Sequence, residues 1–71
     1  MDVVELNRRI GEKIQALRRD KNISQFQLAV ECGFEKSNMS RIESGKTNPT
    51  IGTLLKIADA LDVELKDLVS F

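Results

Sequence analysis

The sequence has no histidine, tyrosine or tryptophan, and it contains a single cysteine and a single proline. Without histidine, the side chain most often used as a general acid or base at neutral pH is missing. One cysteine cannot close an internal disulfide, which favours an intracellular setting. These absences argue against an enzyme and against a disulfide-stabilised secreted domain.

Long apolar runs and an excess of charge of either sign are also missing. No stretch is long enough for a signal peptide or a membrane helix, so we expect a cytoplasmic protein without a membrane partner. Eleven basic and eleven acidic residues give a net charge of zero, whereas a nucleic-acid-binding surface is normally basic. The charge is uneven, because residues 1–23 hold six basic and four acidic side chains. The first half of the chain is therefore expected to face phosphate, and the C-terminal third to face away.

The first helix is predicted from Val4 to about Lys21, because apolar residues recur there at helical spacing. Its apolar stripe consists of Leu6, Ile10, Ile14 and Leu17. Met1 to Val3 precede it and are expected to be loosely held. Gly11 lies inside this helix and is expected to weaken it by about 1 kcal/mol relative to alanine. Asn22 is a candidate for the left-handed residue that ends the helix.

Two short helices separated by a glycine are predicted next. Ser24 can cap the first of them, since its hydroxyl can accept a hydrogen bond from an unpaired N–H of the first turn. Gly33 ends that helix, because glycine adopts positive φ at no steric cost. The second helix begins near Lys36. The inner faces of the two helices carry Leu28, Ala29, Cys32, Phe34, Met39 and Ile42.

Two further helices are predicted after a loop. Gly45 stops the preceding helix, and Thr50 caps a fourth one. The expected core line of this fourth helix is Leu54, Ala58 and Leu61, with Leu55 or Ile57 partly outside. A short fifth helix is predicted from Leu65 to Val69, with Leu65 and Leu68 inward. The sequence thus predicts a compact all-α domain of five helices.

The stretch from Ser24 to Glu43 resembles the helix-turn-helix of the phage repressor/Cro-type family, also called XRE-type regulators. Ala29 is the small residue where the two helices cross, and Gly33 is the turn four residues later. Met39 and Ile42 are the apolar anchors of the second helix. The flanking sequence matches as well, so that the resemblance covers roughly residues 10 to 69. One departure is Asp62, which replaces the usual glycine but tolerates a left-handed conformation.

The resemblance implies one helix-turn-helix DNA-binding domain over residues 1–71, with the motif at the second and third helices. The third helix is then the recognition helix, whose outer face enters the major groove. The side chains expected to contact bases are Lys36, Ser37, Ser40 and Arg41. Arg41 can form a bidentate contact with guanine, the alternatives being a phosphate contact or no contact with DNA.

The resemblance also implies that Gln25 contacts a DNA phosphate. Further phosphate contacts are expected from residues that lie beside the base-contacting positions or follow the third helix: Asn38, Lys46, Thr47 and Asn48. Gln25 begins the second helix, where backbone N–H groups and the helix dipole favour an anion. The alternative is an ordinary exposed first-turn residue. Glu35 stands where the family often has serine or threonine. It would repel DNA if it pointed outward, unless it accepted a hydrogen bond from a cytosine amine.

An arginine and a glutamate that the family joins across the domain correspond to Arg18 and Glu43. Each directly follows a residue of the predicted core, so each lies at the edge of a buried face. A glutamate in the last turn of a helix also opposes the helix dipole and needs a compensating partner. We therefore expect a partly buried salt bridge, the alternative being two exposed charges of little energetic value.

Other chemistry finds little support in the sequence. Cys32 lies on the inner side of a helix and is expected in the core rather than as a nucleophile. The acidic residues near the C-terminus lack the glycine and the spacing of a calcium loop. They are Asp59, Asp62, Glu64 and Asp67. No glycine-rich phosphate loop is present, so we expect no metal and no cofactor.

The function implied is that of a sequence-specific transcriptional regulator. A module this small makes few DNA contacts, which favours a homodimer on a two-fold symmetric operator, paired through the fourth and fifth helices. Alternatives within the family are an antitoxin, with its toxin as a protein partner, or the controller of a restriction–modification operon. The rival class is a protein-interaction module that has lost DNA binding, which the neutral charge and Glu35 favour.

Overall fold

Five helices and no strands make up the fold, as the sequence predicts. The structure is a computed structural model that describes residues 1–71. The helices are α1 (Val3–Asp20), α2 (Gln25–Cys32), α3 (Lys36–Glu43), α4 (Ile51–Ala60) and α5 (Leu65–Leu68). None of them combines the length and the apolar character that a bilayer span requires.

The start of α1 lies earlier than the sequence predicts. The Asp2 carboxylate accepts a hydrogen bond of 2.9 Å from the backbone N–H of Glu5, and Val3 is the first helical residue. Asp2 and Val3, which were expected to be loosely held, therefore belong to the start of α1, because Asp2 forms an N-cap that the apolar pattern does not reveal. At the other end, Asn22 has a φ of 57°, the left-handed conformation expected of it.

Both ends of α2 are fixed by local hydrogen bonds. Ser24 and Gln27 form a reciprocal capping box: the Ser24 hydroxyl accepts from Gln27 N at 3.0 Å, and Ser24 N donates to the Gln27 side chain at 2.7 Å. Gly33 ends the helix with a φ of 72°. The backbone N–H of Phe34 then donates a hydrogen bond of 2.9 Å to the carbonyl oxygen of Ala29. These contacts set the two ends of α2, as predicted from Ser24 and Gly33.

The connections on either side of α4 also follow the predicted pattern. Gly45 has a φ of 75° after α3, and the Thr50 hydroxyl accepts from Thr53 N at 3.1 Å to cap α4. Asp62 adopts a φ of 57° after α4. One boundary differs, because α5 ends at Leu68 and Val69 lies just past it.

The core contains twelve buried apolar residues contributed by all five helices: Ile10, Ile14, Leu28, Ala29, Cys32, Met39, Ile42, Leu54, Ile57, Ala58, Leu61 and Leu68. Of the two α4 residues left open, Ile57 is fully buried and Leu55 is 47% exposed. Leu65, expected inward, is only partly buried. Glu43 is the one charged residue in the buried set.

Gly11 lies where α1 closely approaches the end of α3. A Cβ built there would collide with the carbonyl oxygen of Glu43 and would lie 2.8 Å from that of Ile42. Gly11 is itself buried. The sequence indicated only a weakened helix at this position, but the glycine is needed for α1 to pack against the end of α3.

Candidate nucleic-acid interface

The outer face of α3 is polar and open. Met39, Ile42 and Glu43 turn inward, and with 3.6 residues per turn the opposite side is centred on Ser37, Ser40 and Arg41. The two edges of that face are formed by Lys36 and Asn38. All five of these polar side chains are exposed. The structure therefore brings the predicted base-contacting residues together on one accessible surface.

These side chains have no partner within the chain. No ion pair includes Lys36, Arg41 or Lys46. None of the five α3 side chains forms an intramolecular hydrogen bond, and the same holds for the side chains of the following loop. The loop residues are Lys46, Thr47 and Asn48. Unpaired donors on an exposed helix face are free to bind an external polar ligand.

The charge of this surface is positive although the chain is neutral. Lys36, Arg41 and Lys46 are three exposed cations, against the single exposed carboxylate of Glu35. Glu35 is the N-cap residue of α3, but its side chain makes no capping hydrogen bond. Glu43, the other acidic residue of α3, is buried and does not contribute to the exposed face.

The basic residues of α1 do not form one free patch. Arg8 contacts Glu5 at 2.6 Å and Glu12 at 2.8 Å, and Arg9 contacts Glu5 at 2.9 Å. Hydrogen bonds from Arg8 and then Arg9 hold the pKa of the Glu5 carboxyl at about 2, below its ordinary 4.5. The basic excess of residues 1–23 is thus partly neutralised on the helix surface. Lys13, Arg19 and Lys21 form no ion pair, so free cations remain on this part of the chain as well as on α3 and the loop after it.

Arg18 and Glu43 form a two-pronged ion pair between α1 and α3. Arg18 Nε donates to Glu43 Oε2 at 2.9 Å, and Arg18 Nη2 donates to Glu43 Oε1 at 3.1 Å. The side chains are 11% and 2% exposed, respectively. The third Arg18 nitrogen, Nη1, donates to the carbonyl of Ile23 at 2.9 Å. The pair therefore ties the end of α3 to the residue that precedes the α2 cap.

Two glutamines complete the surroundings of Glu43. Gln25 Nε2 donates to Glu43 Oε1 at 3.1 Å, and Gln15 Nε2 donates to the Glu43 backbone carbonyl at 2.8 Å. Sequence reasoning missed both contacts. The residues are 18 and 28 positions from Glu43, so no local spacing rule could reveal them.

The first turn of α2 has donors to spare beside Gln25. In that turn the Gln27 N–H is satisfied by Ser24 Oγ, and the Leu28 N–H by the Ser24 carbonyl. The N–H groups of Gln25 and Phe26 have no helical partner, as is usual for the first residues of a helix. Gln25 itself is partly buried. The end of α2 thus presents backbone donors and a helix dipole that suit an anion.

The remaining candidate groups have structural roles. Cys32 is buried, and this burial raises the pKa of its thiol, which disfavours a reactive thiolate. Asp67 accepts from Glu64 N at 2.9 Å at the start of α5, and Glu64 pairs with Lys66 at 3.3 Å. No three acidic or cysteine side chains come together in a way that could hold a metal ion.

Comparison with known proteins identifies relatives of this arrangement. The model of the Cro/C1-type HTH DNA-binding domain matches residues 13–71. The control protein C.BamHI of Bacillus amyloliquefaciens is 40% identical over 62 residues, which cover 86% of this chain and 76% of that protein. The chain also spans 42% and 40% of two longer regulators that it matches.

Two solved structures that share this fold are also more than 30% identical to this chain in sequence. The restriction-modification controller protein C.AhdI of Aeromonas hydrophila superposes with a TM-score of 0.84 at 34% identity, over 86% of this chain and 92% of that one. The biofilm regulator SinR, solved in complex with DNA, superposes with a TM-score of 0.79 at 39% identity, over 86% and 98%.

Proposed function

Because the chain belongs to the family of Cro/C1-type HTH DNA-binding domains, it is a DNA-binding transcriptional regulator, and we propose that it reads a specific sequence by placing α3 in the major groove. The observation that supports this most is the outer face of α3, where exposed polar and cationic side chains lack any partner within the chain. We propose that residues 1–71 act as one DNA-binding unit.

Base contacts are proposed for the side chains of the α3 outer face: Lys36, Ser37, Ser40 and Arg41. Arg41 lies near the centre of this face and can donate two parallel hydrogen bonds to guanine O6 and N7. The serine hydroxyls can donate or accept, so they suit either base edges or phosphates. Lys36 lies at one edge of the face, where it reaches a base or the adjacent backbone.

Phosphate contacts are proposed on both sides of the recognition helix. The residues are Gln25, Asn38, Lys46, Thr47 and Asn48. Gln25 stands at the N-terminus of α2 beside two unpaired backbone donors, which is a favourable place for a phosphate. Lys46 supplies a full positive charge just past α3. Such contacts fix the register of a protein on DNA and carry no sequence information themselves.

A homodimer on a two-fold symmetric operator is the proposed functional form. The face for pairing is proposed on α4, where Ile51 is 71% exposed and Leu55 is 47% exposed one turn later. Side chains four residues apart lie on one side of a helix, so the two form a continuous apolar strip. Covering this strip with a second copy removes apolar surface from water.

The narrower role of a restriction–modification controller is favoured by a specific observation. This chain covers 92% of the restriction-modification controller protein C.AhdI and 76% of the control protein C.BamHI. An antitoxin role and an unknown protein partner remain alternatives from the sequence. As a regulator that acts on DNA, the protein is proposed to work in the cytoplasm.

The salt dependence of binding to random duplex DNA tests DNA binding itself. A protein that neutralises several phosphates loses affinity steeply as salt rises, because condensed counterions are released on binding. We expect Lys46→Ala to lower the slope of log affinity against log salt by about 1. Lys56→Ala is the matched control, because Lys56 lies on α4 with its ammonium 5.9 Å from the ring of Phe34. No binding at low salt would instead indicate a protein-interaction module.

A further inference from the structure

We infer that Glu43 is a positioning residue for DNA binding, which acts by orienting the carboxamide of Gln25 toward a phosphate. The inference rests on the proposed function, since it requires Gln25 to contact DNA. Glu43 itself does not touch DNA, because it is 2% exposed and lies on the inner side of α3.

The Glu43 carboxylate is held rigidly enough to orient a neighbour. Arg18 donates to both of its oxygens, at 2.9 and 3.1 Å, in the planar fork geometry that arginine and carboxylate share. The Glu43 backbone is also fixed, because its carbonyl accepts from Gln15 at 2.8 Å. Glu43 Oε1 therefore presents a fixed acceptor to the Gln25 side chain, 3.1 Å away.

This acceptor determines which end of the Gln25 amide faces inward. A glutamine carboxamide has an NH2 group at one end and an oxygen at the other. If the amide were turned over, its oxygen would face the carboxylate oxygen of Glu43, and the two would repel each other. Glu43 therefore selects the orientation with Nε2 inward. One Nε2–H is used by Glu43, and the other remains for an external acceptor.

The second Nε2–H complements the unpaired backbone donors of the α2 first turn. Together they offer several donors to one phosphate at the N-terminus of a helix. Because Gln25 is already ordered by Glu43, less side-chain freedom is lost when DNA binds. Arg18 balances the charge of Glu43, so a buried carboxylate behind the phosphate site does not make that site repulsive.

The same contacts connect the phosphate site to the recognition helix. Glu43 belongs to the last turn of α3, whereas Gln25 begins α2. Arg18 joins both through Glu43 and the carbonyl of Ile23. The Gln25–Glu43 hydrogen bond thus fixes the phosphate contact relative to the helix that reads the bases, which is the geometry that sets register on DNA.

A double-mutant cycle in DNA affinity tests this role. We expect Gln25→Ala and Glu43→Gln each to weaken binding to a selected site about tenfold, as for a lost hydrogen bond to a charged group. The double variant should also be about tenfold weaker, because Glu43 acts through Gln25. Losses that multiply to about a hundredfold would overturn the inference. Glu31→Gln is the control, since it removes an exposed carboxylate of α2 that forms no ion pair or hydrogen bond.

A neutral methylphosphonate at single positions of the DNA separates positioning from simple destabilisation. We expect one phosphate at which neutralisation weakens binding of the wild type. At the same phosphate, neutralisation should not further weaken binding of Gln25→Ala or Glu43→Gln. A protein that is merely less stable would keep its sensitivity at that phosphate. Thermal melts show at which temperatures every variant is folded, and binding is measured at one of these temperatures.

A measurement on the wild-type protein covers the case in which Glu43→Gln does not fold. The ¹⁵N heteronuclear NOE of the Gln25 side-chain NH2 should approach backbone values, because the amide is bonded to Glu43. Values typical of a freely rotating glutamine would overturn the inference. If the wild type shows no DNA binding, the proposed function fails as well. If it binds and only the cycle or the NOE disagrees, the inference alone fails.

Discussion

At the scale of single residues, Arg41 and Gln25 are proposed to divide base reading from phosphate binding. Arg41→Ala should cost roughly 1–3 kcal/mol of binding free energy on the cognate site and relax the preference at one base position. Gln25→Ala should weaken binding to all sequences alike, because a phosphate contact carries no sequence information. Binding of each variant to the cognate site and to its single-base variants checks both expectations.

The opposite pattern would reverse the two roles. If Gln25→Ala altered sequence preference while Arg41→Ala lowered affinity uniformly, Arg41 would be the phosphate contact. Ser44→Ala is a suitable control, because the Ser44 hydroxyl is directed to the backbone carbonyl of Arg41 and not outward. It should leave base preference unchanged.

The Arg18–Glu43 pair is expected to matter for stability as a unit. Removing one partner leaves the other charge buried, so Arg18→Met and Glu43→Leu should each cost about 3–5 kcal/mol of unfolding free energy. That is a large share of the stability of so small a domain. The double variant should lose much less, because no unpaired charge remains buried.

Thermal melting of the two single variants and the double variant measures this coupling. Additive losses would show that the two charges do not depend on each other. Losses below about 0.5 kcal/mol in the single variants, the usual range for surface positions, would contradict this expectation. They would show that an unpaired charge at these positions, 11% and 2% exposed, does not destabilise the fold.

At the scale of elements, the packing of α1 against α3 depends on the absence of a side chain at Gly11. Gly11→Ala places a methyl group against the backbone carbonyls of Ile42 and Glu43, which cannot move away without displacing α3. We expect a loss of about 3 kcal/mol in unfolding free energy, at the upper end of overpacking effects. Chemical denaturation of the variant measures it.

Gly52→Ala provides the matched control for this change. Gly52 lies in α4, and a Cβ there would meet nothing closer than the Thr50 hydroxyl at 3.8 Å. Alanine is the better helix former, so this variant should gain up to about 1 kcal/mol. A stabilising Gly11→Ala would contradict the close approach of the two helices.

The sequence predicted those helix ends and turns whose geometry depends only on residues close by in the chain. Ser24, Thr50 and Gly33 act through the hydrogen bonds and dihedral angles of their own turns, and the structure has them as expected. The sequence indicated only that Gly11 weakens α1, because the group that excludes a side chain there is the backbone of Glu43, 32 residues away. The burial of Ile57 rather than Leu55 likewise depends on which side of α4 meets α2.

In the candidate site, too, the sequence predicted what depends on one helix and missed what depends on the packing of two. Exposure of the α3 outer face follows from helical periodicity around Met39 and Ile42, so sequence reasoning found it. The link from Gln25 to Glu43 depends on how α2 and α3 cross, and the pattern of neither helix contains that information. The roles of the exposed side chains toward DNA stay predictions.

At the scale of the whole molecule, a net charge of zero is compatible with DNA binding because the charges are sorted. Arg8, Arg9 and Arg18 are paired with carboxylates, whereas Lys36, Arg41 and Lys46 are free near the recognition helix. The salt bridges of Arg8 and Arg9 within α1 are exposed and add little to stability. The proposed DNA-binding side therefore keeps free positive charge in a chain whose net charge is zero.

Dimerisation is predicted through the apolar strip of Ile51 and Leu55. The recognition helices of a dimer on two half-sites should lie about 34 Å apart, one turn of DNA. Leu55→Glu should shift the protein to monomer in analytical ultracentrifugation. Val30→Glu, which changes an exposed apolar residue of α2, should not. A pure monomer at tens of micromolar, with and without DNA, would contradict the dimer.

Selection of bound sequences from a random duplex library is the most direct test of DNA reading by the outer face of α3. The wild type should enrich one inverted repeat whose half-sites are centred about one helical turn apart. The same selection with Arg41→Ala should lose information at one symmetry-related base position and keep the rest. A library that emerges with no enriched sequence, or a motif that Arg41→Ala leaves intact, would contradict the account.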